Sequence, residues 1–384
     1  ANMSAHLGPA IKKMSDREIL TMLSYNTTGW KTINDEKRFL IPGNDLEGVE
    51  ISLPNPKHCY HISKNADHEK ALEALDHLLM AHPPELTTVA FAFIMQPPLA
   101  ELAGWQEERY CLFIQGLTGS LKTAFVQTLM CVWGEKFCQD STLVKWGEGA
   151  TNNAIMALAS AARDMPFLLD NYKPNTGGGA KAFINIIQNI LEGGEKERLQ
   201  KNSELRVARK ISAWPLCTGE DIPNSDAATI ARLLVMHVPM KKGFNEELRV
   251  AQNLSAHLNA IGAQWLHLLE YWADKPDLIQ GIRELSADIC RKWSDWLQKN
   301  CPKMINKLRI AMNLASNEFT WRLLLSIPQF QPVLQKYSEA HAKGLMDIAL
   351  NLESSTREAT EAERFLDALR EAIQTGQLNL NSSR

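Results

Sequence analysis

The stretch Gly116-Leu117-Thr118-Gly119-Ser120-Leu121-Lys122-Thr123 follows a short apolar run, Tyr110 to Gln115, and leads into a helical pattern, Lys122 to Trp133. It matches the phosphate-binding template G-x-x-x-x-G-K-[ST] at every fixed position except the sixth. The apolar run predicts a buried strand that ends in a turn. Backbone N–H groups at the start of the following helix would surround a phosphate, so the stretch predicts a nucleotide site, a P-loop.

All eight residues of this loop are predicted to bind ATP, and two of its side chains have specific predicted roles. Lys122 is expected to supply a cation to the β- and γ-phosphates, and Thr123 a hydroxyl to Mg²⁺. Leu121 replaces the template's glycine, which is tolerable if its side chain points into the fold. The alternative interpretation is an ordinary strand–turn–helix with a chance Gly and Lys-Thr pair.

A second buried run, Phe167-Leu168-Leu169, ends in Asp170. A carboxylate at that point orders Mg²⁺ in P-loop enzymes, so Asp170 is predicted to be both a catalytic residue and a metal ligand. Its alternative role is to cap a turn. The next residue, Asn171, cannot take a proton, which leaves the general base unassigned. Glu220 and Asp221, after the third strand, are candidates by topology alone.

Two more catalytic candidates accompany the later strands, Ile211 to Cys217 and Leu233 to Val238. Thr218 follows the first of these strands, and its hydroxyl is predicted to touch the γ-phosphate or the attacking water. Arg232 precedes the second strand and is predicted to stabilise transition-state charge on a neighbouring subunit's nucleotide. A surface salt bridge is the alternative for Arg232.

The periodicities divide the chain into three predicted regions. Residues 1–65 contain short alternating runs typical of antiparallel strands, and they form a small β-rich N-terminal region. Residues 66–244 alternate strands with helices, which predicts a three-layer α/β ATPase core. The predicted helices of this region are Asp67 to Met80, Leu86 to Met95, Asn152 to Ala162 and Ala180 to Leu191. Residues 245–384 are helical almost throughout, and their tryptophans are assigned to helix packing.

Composition limits the classes of protein and partner. A net charge of −3 argues against a generally basic nucleic-acid coat protein. No stretch approaches eighteen consecutive apolar residues, so no membrane partner is expected. Seven cysteines without C-x-x-C pairs fit a reducing cytoplasm rather than a disulfide or zinc scaffold. The basic segment Glu195 to Lys210 is either a track for a nucleic-acid backbone or a solvated face.

Several motifs together resemble the primase–helicase-associated ATPases of phages, plasmids and other mobile elements, relatives of superfamily 3 and MCM-like AAA+ helicases. The resemblance covers roughly residues 5 to 245. It is carried by the P-loop and by Thr28-Gly29-Trp30-Lys31, Trp146 with Thr151-Asn152-Asn153, Leu169-Asp170-Asn171, Cys217-Thr218-Gly219-Glu220-Asp221 and Ala231-Arg232-Leu233-Leu234.

The resemblance implies an AAA+-like ATPase core that uses ATP and Mg²⁺. It further implies a homo-oligomeric ring, a hexamer, with ATP between subunits and single-stranded or forked DNA in the channel. The expected function is an ATP-dependent DNA helicase or translocase in mobile-element replication. In such relatives the core adjoins further domains, and Leu366 to Leu380 is similar to the lead into one. The chain is therefore expected to be either a fragment or a naturally short version.

Leu121 and Asn171 favour a rival hypothesis, a nucleotide-binding assembly or recruitment module with slow or no hydrolysis. A monomeric P-loop kinase is a weaker reading, because the sequence offers no arginine-bearing lid.

Overall fold

The computed structural model describes residues 22–44, 46–148, 150–176, 178–194, 210–223, 231–240, 245–354 and 369. The strands are β1 (Leu23–Tyr25), β2 (Gly29–Ile33), β3 (Glu36–Leu40), β4 (Val49–Ile51), β5 (Cys111–Gln115), β6 (Pro166–Tyr172), β7 (Trp214–Gly219) and β8 (Leu233–His237). The helices of the first two regions are α1 (His68–Met80), α2 (Pro84–Ala103), α3 (Lys122–Met130), α4 (Asn152–Ala161) and α5 (Gly179–Glu192). Those of the helical region are α6 (Glu246–Asn253), α7 (Asn259–Ala273), α8 (Pro276–Asn300), α9 (Lys307–Leu325), α10 (Gln331–Leu334) and α11 (338–354).

A four-stranded parallel sheet, in the order β6-β7-β5-β8, forms the centre of the molecule. The side chains of β5 from Cys111 to Ile114 are fully buried, which explains the unbroken apolar run in the sequence. Because the strands are parallel, their carboxyl ends meet at one edge of the sheet. The P-loop, Asp170 and Thr218 all lie at that edge.

A short segment, residues 144–146, runs beside the end of β6. Lys145 forms a parallel bridge with Asp170. The Asp170 amide donates to the carbonyl of Val144 at 2.9 Å, and the Trp146 amide donates to the carbonyl of Asp170 at 2.8 Å. The residues after Trp146 therefore emerge at the same edge as the P-loop.

The N-terminal strands form two small sheets that pack onto the core. β2 and β3 are antiparallel, as the sequence predicts, but β1 and β4 pair in parallel because they flank the β2–β3 hairpin and run in the same direction. The indole of Trp30 donates to the carbonyl of Pro98 at 2.7 Å, and its backbone amide donates to the carboxylate of Asp164 at 3.1 Å. These bonds attach the region to α2 and to the turn before β6.

Helix α2 is the central core helix and is longer than the predicted Leu86 to Met95. It continues through Pro97 and Pro98, although a proline inside a helix lacks the N–H that the carbonyl four residues earlier needs. The carbonyl of Ile94 would normally receive that bond from position 98, and the Trp133 indole donates to it instead, at 2.9 Å. By length and composition α2 could cross a membrane, but 89% of its most apolar window is buried inside the protein.

The helical region packs directly on the sheet and on α2. The Asn313 amide on α9 donates to the carbonyl of Ala231, just before β8, at 3.1 Å. Asn317 on the same helix donates to the Tyr110 hydroxyl at 3.2 Å, and that hydroxyl donates to Gln96 on α2 at 2.7 Å. One buried apolar cluster extends from Trp30 to Leu352.

Two segments singled out in the sequence fall mostly outside the described residues. Of the basic segment Glu195 to Lys210, only Lys210 is described, and of Leu366 to Leu380, only Leu369.

Candidate functional site

The P-loop connects the end of β5 to the first residue of α3. The Gly116 amide donates to the carbonyl of Gly219 at 3.0 Å, so the loop begins as a continuation of the sheet. Phe125 is the first residue of α3 whose amide bonds back along the helix, to the carbonyl of Leu121 at 2.9 Å. The first helical N–H groups lack intrahelical partners and lie at the positive end of the helix dipole. Helix starts of this kind are suited to binding an anion such as phosphate.

Leu121 occupies the residue position before α3 in the left-handed conformation, with φ 63° and ψ 17°. A non-glycine residue pays roughly 1–2 kcal/mol for this conformation. Its side chain is partly buried and packs against the apolar core. The leucine is therefore accommodated by pointing into the fold, as the sequence interpretation required.

The start of the loop has no space for a larger side chain. A Cβ on Gly116 would lie 2.7 Å from the Ser120 hydroxyl oxygen and 3.2 Å from the carbonyl of Val238. The Ser120 hydroxyl is buried, and among the described residues it has no hydrogen-bond partner. A buried unpaired donor of this kind fits a phosphate oxygen.

Three side chains that the sequence predicted separately meet at one carboxylate oxygen. Oδ1 of Asp170 accepts hydrogen bonds from the hydroxyls of Thr123, at 2.9 Å, and Thr218, at 2.5 Å. Asp170 is only 2% exposed. The register of β6 and β7, with Leu169 opposite Cys217, places Asp170 beside Thr218. Hydroxyl and carboxylate oxygens are ligands that Mg²⁺ accepts beside phosphate and water oxygens, so Thr123 and Asp170 fit the metal site predicted for them.

Lys122 is the first residue of α3 and is nearly buried. Burial lowers the pKa of its ammonium group, and the carboxylates of Glu220 and Asp170 partly oppose that shift. A cation held out of bulk water attracts phosphate strongly because the local dielectric constant is low.

Glu220, one of the two predicted candidates for the general base, is bonded to the P-loop. Its carboxylate accepts a hydrogen bond from the Thr118 hydroxyl, and its carbonyl accepts one from the Gln115 side chain at 2.6 Å. Asp221, the other candidate, is exposed next to it. The structure thus places Glu220 where it orders the loop.

Asn171 has a different carboxylate neighbour, which the sequence interpretation missed. The Asn171 side-chain amide donates to Oε1 of Glu148 at 3.0 Å, and its backbone amide donates to the Thr218 hydroxyl at 3.0 Å. Asn171 has a φ of 64°. Glu148 follows the segment that pairs with β6, a pairing too short to appear as a strand pattern. Its position two residues after Trp146 was the only sequence feature that could have indicated it.

Arg232 lies apart from the other predicted catalytic residues. It immediately precedes β8, at the amino end of the sheet, and its guanidinium pairs with the Glu192 carboxylate at 2.8 Å. The five residues of β8 separate it from the P-loop edge, a span of about 16 Å at ~3.3 Å per residue. At the amino end of the sheet, Arg232 lines a cavity of about 390 Å³ together with Arg109 and Arg309.

Comparison with known proteins supports the fold. No protein-family model matches the chain, and no curated protein matches its sequence. Among solved structures, the active helicase Cch of SCCmec type IV is similar over 99% of this chain and 69% of its own, with 12% identity and a TM-score of 0.58. The apo NrS-1 C-terminal region, over 87% of this chain and 85% of its own, has 11% identity and a TM-score of 0.36. JCV helicase, over 73% and 66%, has 12% identity and a TM-score of 0.32.

The last two TM-scores are too low to carry an argument. The similarity to Cch agrees with the mixed α/β architecture, its parallel sheet and its many helices. The chain therefore has a helicase-like fold.

Proposed function

We propose that the protein is an AAA+-like P-loop ATPase that uses ATP and Mg²⁺ to move on or remodel DNA, as a ring, in mobile-element replication. One observation supports nucleotide binding and hydrolysis above all others. The hydroxyls of Thr123 and Thr218 both donate to one carboxylate oxygen of Asp170, beside Lys122. The three side chains come from α3, β6 and β7, and they meet at the start of α3.

The strand order supports the same assignment. β7 lies between the P-loop strand β5 and the Asp170 strand β6. Thr218, the last residue but one of β7, therefore lies between the phosphate loop and the carboxylate that would order the metal. A polar group at this position is suited to sensing the γ-phosphate or the attacking water.

Each residue then has a role in phosphoryl transfer to water. Lys122 and the free N–H groups of the loop hold the β- and γ-phosphates, and the Ser120 hydroxyl is available to a phosphate oxygen. Thr123 and Asp170 would hold Mg²⁺, which neutralises phosphate charge when bound. Thr218 keeps the Asp170 carboxylate oriented through its 2.5 Å hydrogen bond.

The ring and DNA parts of the proposal rest on the motif resemblance and on the helicase-like fold. The position of Arg232 is compatible with a ring, because it is about a strand length from its own P-loop and lines an open cavity. Only a neighbouring molecule's nucleotide would be within its reach.

The decisive variant is Lys122→Ala, measured by ATP binding and by phosphate release. We expect it to abolish hydrolysis, because the cation that holds the phosphates is lost. Lys70→Ala on α1, an exposed lysine distant from the loop in sequence, is the matched control and should behave as the wild type. Unchanged phosphate release by the Lys122 variant would refute the assignment.

A second candidate function is a nucleotide-dependent assembly or recruitment module. The observation that favours it is Asn171, which stands where a second carboxylate would activate water. Steady-state ATPase measurements with and without single-stranded DNA separate the two functions. Strong stimulation by DNA supports the motor, whereas tight ATP binding without turnover supports the module.

A further inference from the structure

The proposed hydrolysis needs a group that takes a proton from water, and β6 does not provide one after Asp170. Asn171 carries an amide, which is not basic. Asp170 already accepts two hydroxyl hydrogen bonds on one oxygen and is assigned to the metal. The carboxylate of Glu220 is bonded to Thr118 of the loop. A further candidate for the proton acceptor comes from another part of the edge.

Glu148 reaches this edge through the backbone pairing of residues 144–146 with the end of β6. The bonds of Asp170 to Val144 and Trp146 fix the register. Gly147 then turns the chain with a φ of 71°, a conformation that favours glycine. The Glu148 carboxylate then accepts a hydrogen bond from the side-chain amide of Asn171, at 3.0 Å.

A chain of three hydrogen bonds connects Glu148 to Asp170. Asn171, which holds the Glu148 carboxylate with its side chain, donates its backbone amide to the Thr218 hydroxyl at 3.0 Å. Thr218 in turn donates to Asp170 at 2.5 Å. The side chain of Glu148 is 52% exposed, so water can reach it, and its second oxygen lies 4.0 Å from the Lys145 ammonium group.

We propose that Glu148 is the general base of ATP hydrolysis and that Asn171 positions it, an inference that rests on the proposed ATPase function. The Glu148 carboxylate accepts a proton from the attacking water as the water oxygen bonds to the γ-phosphorus. The bond from that phosphorus to the bridging oxygen breaks, and its electron pair leaves with ADP. Asn171 donates a hydrogen bond that orients the carboxylate, while Glu148 supplies the basic group that Asn171 lacks.

The test uses the full chain with two measurements on each variant: the dissociation constant of a fluorescent ATP analogue and the rate of phosphate release. For Glu148→Gln we expect hydrolysis to fall by about 10²–10⁴-fold, the usual contribution of a general base, with nucleotide affinity unchanged. Glu73→Gln, an exposed glutamate on α1, is the matched control and should keep both values. Glu220→Ala should weaken binding more than turnover, because it removes the oxygen that accepts the Thr118 hydroxyl.

A double variant distinguishes catalysis from structural support. Glu148→Gln with Asn171→Glu moves the carboxylate to the other partner of the same contact, and we expect it to regain at least part of the lost rate. A wild-type rate in Glu148→Gln, an equal loss of binding and turnover, or a loss of turnover confined to Glu220→Ala would each overturn the role of Glu148. These outcomes leave the ATPase assignment intact if Lys122→Ala is inactive. A wild-type protein that does not bind the ATP analogue contradicts both proposals.

Discussion

The Thr218 hydroxyl donates a 2.5 Å hydrogen bond to Asp170 across the neighbouring strands β7 and β6. The same carboxylate oxygen accepts the Thr123 hydroxyl from the start of α3. One oxygen of Asp170 on β6 therefore joins the start of α3 to strand β7. A substitution at Thr218 should therefore also affect the positions of Asp170 and Thr123.

Thr218→Ala should slow ATP hydrolysis by about 10–100-fold, because a hydrogen bond to a charged group is worth ~1.5–3 kcal/mol. ATP binding should change much less, since the phosphates are held by Lys122 and the loop. Thr218→Ser keeps the hydroxyl and should retain most of the rate. Phosphate release and nucleotide affinity, measured on both variants, check this. Equal rates for the alanine and serine variants would contradict the role of the hydroxyl.

Leu121 gives a prediction about stability, because its φ of 63° strains any side chain. Leu121→Gly and Leu121→Ala both lose the leucine's packing, but only alanine keeps the strain. The glycine variant should be more stable than the alanine variant by about 1 kcal/mol. Urea unfolding of the two variants measures the difference directly. Greater stability of the alanine variant would show that the loop adopts another conformation.

The sequence was enough to predict the positions of the residues that belong to one strand end or to the loop and helix that follow one strand. Lys122, Thr123, Asp170 and Thr218 all follow recognisable buried runs, and parallel pairing makes their proximity predictable. Glu148 follows a segment, residues 144–146, that pairs with β6 over too few residues to leave a periodic pattern. It is positioned by tertiary contacts alone.

Helix α2 shows the same limit in the fold. Two adjacent prolines normally end a helix, and the local sequence gives no reason to continue past Met95. The continuation depends on a donor from elsewhere, since the indole of Trp133 bonds to the carbonyl of Ile94, which Pro98 leaves without its helical N–H. A contact between distant parts of the chain thus overrides a local preference.

Arg232 supports a prediction about assembly, because its position makes it unable to serve its own P-loop. If it acts on a neighbour's nucleotide, Arg232→Ala and Lys122→Ala should each be inactive alone. A mixed assembly should regain about a quarter of wild-type activity, since random mixing joins an intact P-loop to an intact arginine at that share of head-to-tail interfaces. Phosphate release by the 1:1 mixture is the measurement. A mixture as inactive as its components would refute the trans role.

His341 allows a prediction that is independent of the nucleotide site. It is fully buried, stacks on Trp321 at 4.6 Å between ring centroids, and lies 3.0 Å from the Asn317 side-chain oxygen. Burial, with a smaller contribution from Arg322, lowers the pKa of His341 from 6.5 to about 3. The imidazole is therefore neutral in the folded protein, whereas in the unfolded chain it takes a proton below about pH 6.5.

The sign of the effect follows from the proton that only the unfolded chain binds between these two values. The contribution of His341 to stability is complete above about pH 6.5 and is lost as the pH falls towards 3, at about 1.4 kcal/mol per pH unit. His341→Gln should remove this dependence of the free energy of unfolding on pH. The difference in free energy of unfolding between wild type and variant should therefore shrink by about 2 kcal/mol between pH 6.5 and 5. Urea unfolding across that range measures it, with the exposed His267→Gln as the matched control. Parallel stability curves for wild type and His341→Gln would mean that His341 takes up its proton without unfolding, and the buried contact with Asn317 would then have to accommodate a charge.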